Sequence, residues 1–272
     1  MKSKPEKKHS LPTNSLPGPE RHRQIVALIQ EQGYLSVEKL SKYFAVTTQT
    51  IRRDINKLCN QRLIERYHGG AGPVSNTKNI DYQTRQIICQ NEKEKIAQLL
   101  VEHIPDHASV FLNIGTTTEE IAKALLNHNH LRVITNNLNV VRILNANDNI
   151  EVIIAGGVVR SYDNGITGDA TIDFINQFKF DFGIIGISGI DEDGTLLDFD
   201  FNEVRVTRAI IEQSRKVFLA ADHTKFGRNA MVCLTNIETI DALFTDQKPP
   251  QKICNKLKEA DVDLYVAKEA TG

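Results

Sequence analysis

From residue 20 to residue 60 apolar side chains recur every three or four positions, in three successive blocks. RHRQIVALIQEQGYL places Ile25, Leu28 and Ile29 on one helical face, and Gly33 ends the run. SVEKLSKYF opens with Ser36 as a cap and Glu38 in the first turn, and spaces Val37, Leu40 and Phe44 helically. After a very short turn, AVTTQTIRRDINKLCNQRLI repeats the pattern, with Thr47 as cap and Ile51, Ile55 and Leu58 as the inward stripe. Past residue 90 the pattern changes. Apolar strand-like runs (SVFLNIG, RVITN, EVIIAGG, FDFGIIGIS, KVFLAAD, ALFTD, DLYVA) alternate with helical ones such as TTEEIAKALLNH, TIDFINQF and NEVRVTRAIIEQS. That alternation predicts an α/β domain, a mostly parallel sheet covered on both faces, with ligands at the carboxyl ends of its strands.

Two helices joined by a tight turn predict a helix-turn-helix whose second helix enters the major groove. Opposite its inward stripe lie Thr48, Gln49, Arg52, Arg53 and Asn56. Arginine can bond guanine O6 and N7 together, and glutamine can bond adenine N6 and N7. Ser36, Thr47 and Thr50, at the helix starts, join the candidate DNA contacts. RLIERYHGGA then predicts a hairpin wing, with Arg66, His68 and Gly69 beside phosphate or the minor groove. A solvated charged face is the plainer account of Arg52 and Arg53. Charge distribution argues against it: residues 1–68 carry 13 Lys and Arg against 6 Asp and Glu, a balance of +7, while the remainder carries 20 against 28, a balance of −8.

Four prolines and few large apolar groups make residues 1–19 a disordered tail, ahead of a winged helix-turn-helix at 20–72. GPVSNTKN begins a linker at 73–90, and 91–272 forms the effector-binding and oligomerisation domain. NEKEKIAQLLVEHI, at its start, reads as an amphipathic helix. No apolar run is long enough to span a membrane, and nothing at the start resembles a secretory signal. Cys59, Cys89, Cys233 and Cys254 form no CxxC pair, which favours reduced thiols in a cytoplasmic protein.

Several strands end in polar or glycine-rich turns that would converge on one crevice: Gly115 with Thr116, Thr117 and Thr118; Asn136 with Asn137; Gly156–Gly157 followed by Arg160; and Asp222 with Lys225. Gly115 allows a tight turn, and the free N–H groups of the helix after it suit a phosphate. Each turn also has a local reading as a cap, a packing glycine or an ion pair. Repetition at strand ends favours a shared anion site.

QGYLSVEKLSKYFAVTTQTIRRDINKL followed by RYHGGA resembles the N-terminal signature of the DeoR family of bacterial repressors. The rear half resembles the effector domain of that family, which is similar in fold to ribose-5-phosphate isomerase. The resemblance implies that Gly115, Thr116 and Thr117 hold a phosphate, with Asn136, Asp222 and Lys225 completing the pocket and Glu203 and Arg205 as further candidates. ITNNLNV, DFGIIGISGIDEDG and DHTKFGRNAM look closest to a member whose inducer is glycerol 3-phosphate. Operator DNA, a small phosphorylated effector and a homodimer or homotetramer are the implied partners; the first twenty residues lie outside the resemblance.

An isomerase-like enzyme is the alternative, since Asp191, Asp193, Asp198, Asp200 and Glu203 supply carboxylates. The glycine-rich lysine loop of those isomerases has no counterpart, and a DNA-reading head needs a signal rather than a product. GIIGISG lacks the GxGxxG spacing of a dinucleotide site. His103, His107, His128 and His130 match no metal-ligand spacing and read as surface histidines. No catalytic residue, cofactor or metal is expected.

Overall fold

The computed structural model describes residues 18–32, 35–61, 63–67, 70–72 and 82–267, and the chain divides into two compact units, Met1–Ser75 and Asn76–Gly272. Residues 1–17 of the expected tail, His68, Gly69 and the start of the expected linker lie outside the described residues; Gly18 and Pro19, expected as the end of that tail, instead begin the first helix.

The front unit runs α1 (Gly18–Gln32), β1 (Leu35–Ser36), α2 (Val37–Phe44), α3 (Thr48–Asn60), β2 (Glu65–Tyr67) and β3 (Gly70–Gly72). Helix α2 starts where Ser36 Oγ accepts the Lys39 N–H at 3.1 Å, and stops where Ala45 turns left-handed at φ 51°. Thr47 then caps α3 by accepting the Thr50 N–H at 3.1 Å. The stripes meet in one small core of Ile25, Ile29, Leu40, Ile51, Ile55, Leu58 and Ile64. The sequence pattern missed β1. This two-residue strand pairs Leu35 with Ala71 and ties the β2–β3 wing to the helices in a sheet ordered β1-β3-β2. It also missed Asp54, which is buried on the inward side of α3 and held by Arg21 Nε at 2.7 Å and His22 Nε2 at 2.8 Å.

The rear unit begins within the stretch expected as linker. Tyr82–Ile87 is a helix, α4, and α5 follows as Gln90–Val101. The chain continues through β4 (Ser109–Leu112), α6 (Thr116–Leu125), β5 (Leu131–Thr135), α7 (Leu138–Leu144) and β6 (Ile150–Ile154). A short pair, β7 (Val158–Val159) and β8 (Ile166–Thr167), leads to α8 (Asp169–Ile175), β9 (Phe180–Ile185), β10 (Gly189–Ile190) and β11 (Thr195–Asp198). The last elements are α9 (Phe201–Gln213), β12 (Ser214–Ala220), β13 (Val232–Asn236), β14 (Ala242–Thr245), α10 (Gln251–Glu259) and β15 (Asp263–Val266).

All seven expected strands form one parallel sheet, ordered β15-β14-β12-β9-β4-β5-β6. One face carries α5, α6 and α7 over Val110, Leu112, Val133, Ile184 and Phe244; the other carries α8, α9 and α10 over Phe111, Ile134, Ile185 and Leu219. The strands are apolar on both sides for this reason. A second, antiparallel sheet β10-β11-β13 was not visible in the pattern. His103 and His128 are half-buried, contrary to the surface reading: His103 Nδ1 meets Leu99 O, and His128 Nε2 meets Val101 O and Ile104 O at the end of α5. Among the described residues no helix is long and apolar enough to cross a membrane.

Candidate functional site

On α3 the side chains of Thr48, Gln49, Arg52, Arg53 and Asn56 are exposed, because the buried Ile51, Ile55 and Leu58 take the opposite face. Arg66, on the wing, donates from Nη1 to Asn56 Oδ1 at 3.1 Å, so wing and helix present one polar surface. Ser36 and Thr47 serve as helix caps, with Thr47 and Thr50 hydroxyls 2.9 Å apart.

The rear site follows from topology. Strand order runs outward from β4 through β5 to β6 on one side, and from β9 through β12 to β14 and β15 on the other. The order therefore reverses between β4 and β9, and parallel sheets bind ligands outside the carboxyl ends at such a reversal. Gly115 follows β4 there, with φ 149° and ψ 153°, a region tolerated essentially by glycine alone. It is the cap residue of α6 and offers no side-chain bond to the first turn, so the helix's leading N–H groups are left for another acceptor. Neither Thr116 nor Thr117 is the cap. The Thr118 hydroxyl is not a free donor either; it is fully buried and bonds Asn113 O at 2.7 Å and Gly115 O at 2.8 Å, fixing the turn.

Cations gather beside this turn. Lys225 and Arg228 follow β12, and Arg85 and Lys93 come from α4 and α5. Burial lowers the Lys225 pKa, Asp222 acts against that, and Arg228 and Arg85 add to the lowering. Burial and then Arg85 lower Arg228. Burial brings Lys93 down to about 8. Thr116 Oγ1 and Lys93 Nζ both donate to the Arg85 carbonyl, which places α4 against the head of α6. Several buried polar atoms nearby have no partner: Arg85 Nε, Asn136 Oδ1 and Asp222 Oδ2. An orphaned buried polar atom is costly, so a group of them marks a place that a polar ligand completes.

The other expected residues divide. Asn136 donates to Ile166 O at 3.0 Å and keeps its oxygen free. Asn137 is spent on structure: its Oδ1 caps α7, and its Nδ2 reaches Glu119. Gly156 is exposed, and its carbonyl accepts from Thr171. Arg160 is not an available cation. Its guanidinium meets Asp163 at 2.6 Å, Glu203 at 2.8 Å and Asp200 at 3.2 Å. Burial and the neighbouring Asp198 push Glu203 up to about 7. Arg205 pairs with Asp169 at the surface. The sequence reading missed Arg85, Lys93 and Arg228 as site members. Arg228 stood in the quoted DHTKFGR; Arg85 and Lys93 lay in stretches read as linker and amphipathic helix.

A reading head of two helices and a wing, joined to a parallel-sheet domain with an anion-suited switch point, is the architecture of a ligand-responsive transcriptional regulator. Residues 21–77 match the DeoR-like helix-turn-helix domain, and residues 88–247 match the DeoR C terminal sensor domain. The chain belongs to the DeoR family and is a DeoR-type transcriptional repressor. It is similar to the glycerol-3-phosphate regulon repressor of Escherichia coli (strain K12), at 51% identity over 90% of this chain and 97% of that one. The repressor of the same description from Haemophilus influenzae is 48% identical over 90% of this chain and 96% of its own. HTH-type transcriptional repressor CsqR of Escherichia coli is 41% identical over 93% and 97%. These relatives are repressors, which sets the enzyme alternative aside. A solved ribose-5-phosphate isomerase in complex with phospho-erythronic acid matches 50% of this chain and 54% of that chain at 14% identity and TM-score 0.38, too slight a likeness to argue from.

Proposed function

We propose that the rear domain binds glycerol 3-phosphate as inducer and that binding lowers the affinity of the front domain for its operator. The carrying observation is the group of Arg85, Lys225 and Arg228 beside the uncapped start of α6, with unpartnered acceptors on Asn136 and Asp222. A phosphate takes the cations and the N–H groups after Gly115, at Thr116 and Thr117; hydroxyls of a short polyol reach Asn136 and Asp222. The E. coli and H. influenzae relatives, named for a glycerol-3-phosphate regulon, support that choice of effector. Glu203, through Arg160, shapes the wall of the pocket. The repressor works as a cytoplasmic homo-oligomer on repeated half-sites, as helix-turn-helix proteins commonly do.

Operator release titrated against glycerol 3-phosphate, glycerol and inorganic phosphate tests the reading. Release by glycerol 3-phosphate, well below the concentration at which the other two act, is expected, and NMR should recover the ligand unchanged. Equal potency of inorganic phosphate would remove the polyol specificity, and turnover of the ligand would make the domain an enzyme.

Operator contact is assigned to Gln49, Arg52, Arg53 and Asn56 on α3, with Ser36, Thr47, Thr48, Thr50 and Arg66 around them. Arg52→Ala is expected to cost about 1–3 kcal/mol at the specific site with little change in folding, since the residue is exposed. Unchanged operator affinity in the Arg52→Ala, Arg53→Ala double variant rejects the assignment.

A further inference from the structure

We propose that Cys89, Asp222 and His223 bind a divalent metal ion of the zinc class. One potential ligand atom from each of the three lies within 4.8 Å of the other two. Nothing in local sequence spacing shows this set: Cys89 precedes α5, while Asp222 and His223 follow β12, and the fold alone brings them together.

The chemistry of the three is complementary. Thiolate, imidazole and carboxylate are the donors zinc takes at about 2.0–2.3 Å, whereas magnesium and calcium favour oxygen alone. The Asp222 carboxylate is already oriented, because its Oδ1 accepts from Thr224 while its buried Oδ2 has no partner. His223 is oriented too. Its Nδ1 lies 2.6 Å from the buried Asp246 carboxylate, which leaves the Nε2 lone pair for a metal. A carboxylate behind a ligating histidine is the usual support of such a site. Binding releases the Cys89 proton to solvent as the sulfur–metal bond forms, and burial keeps that thiol protonated otherwise. Cys89 and Asp222 then supply two negative charges against the metal's two positive ones. Lys93, Lys225 and Arg228 face the same ligands and oppose the cation, while Glu92 faces Cys89 and His223 and favours it. Three protein ligands leave a fourth position open. An effector hydroxyl can occupy that position in place of its bond to Asp222.

Cobalt(II) is the probe, added to the full-length wild type after stripping with a chelator. A thiolate-to-cobalt charge-transfer band in the near ultraviolet is expected, saturating at one cobalt per chain and removed by Zn2+. Cys89→Ser should abolish the band and Cys233→Ser should leave it. Asp246→Asn should weaken Zn2+ by about 10–100-fold. Zinc K-edge absorption of the loaded wild type needs no variant and should show one sulfur among nitrogen and oxygen ligands. Absence of the band in the wild type, its survival in Cys89→Ser, or a zinc shell without sulfur would each overturn the site. These readouts follow the metal and not the effector, so they stand or fall separately from the inducer assignment.

Discussion

Lys225→Ala is expected to leave the repressor on its operator at effector concentrations that release the wild type. A charge-assisted contact to phosphate contributes about 1.5–3 kcal/mol, so half-release should need roughly ten- to hundredfold more glycerol 3-phosphate. Folding should not suffer in step. The Lys225 ammonium has no hydrogen bond or ion pair among the described residues, and burial already depresses its pKa. Removing it relieves desolvation while withdrawing a favourable neighbour from Asp222, two effects of opposite sign. Calorimetry of effector binding, operator affinity without effector and a thermal melt separate the terms. An unaltered release curve would take Lys225 out of the pocket.

The second large effect lies in the front unit. Asp54→Ala strips a buried carboxylate from Arg21 and His22, whose side chains are only 11% and 14% exposed. Breaking a buried pair by removing one partner costs about 3–5 kcal/mol. A unit with so small a core cannot absorb that, so operator binding should disappear through unfolding rather than through lost contacts. Asp54→Asn, which keeps an acceptor, should cost less. Burial acts to raise the Asp54 pKa, but the bonds from Arg21 and His22 outweigh it and hold the group below the usual carboxylate value. Its stabilising contribution is therefore complete above about pH 3.9, the unfolded value, and is lost as pH falls through the lower folded one. A front unit whose Asp54→Ala melt overlays the wild type would show the pair to be inconsequential.

Elements with long, repeated apolar spacing were legible in the sequence. The three front helices and seven sheet strands announce themselves because burial of one face, or of both, imposes a period on many residues. Leu35–Ser36 and Gly189–Ile190 do not, since two residues have no period to impose. Within the site, Gly115, Asp222 and Lys225 stood out because they directly follow recognisable strands. Arg85 and Lys93 were hidden for the opposite reason: they enter from helices before the first sheet strand, and only tertiary packing reveals that α4 sits at the head of α6. Arg160 shows the reverse failure. A guanidinium looks like an anion receptor in sequence, yet Asp163, Asp200 and Glu203 engage it completely in space. Asn137 likewise carried a polar signal that helix capping absorbs.

The reversal of strand order between β4 and β9 bears on how a ligand would be felt. Helix α6, after β4, belongs to one apolar layer of the sheet, and α9, which carries Glu203, belongs to the other. A molecule lodged at the reversal fastens both layers at once, so its binding free energy is shared by two otherwise separate halves of the interior. Loosening either layer, even far from the ligand, then weakens its grip. Distant core substitutions in the rear unit become, by that route, sensitivity mutations of the inducer response.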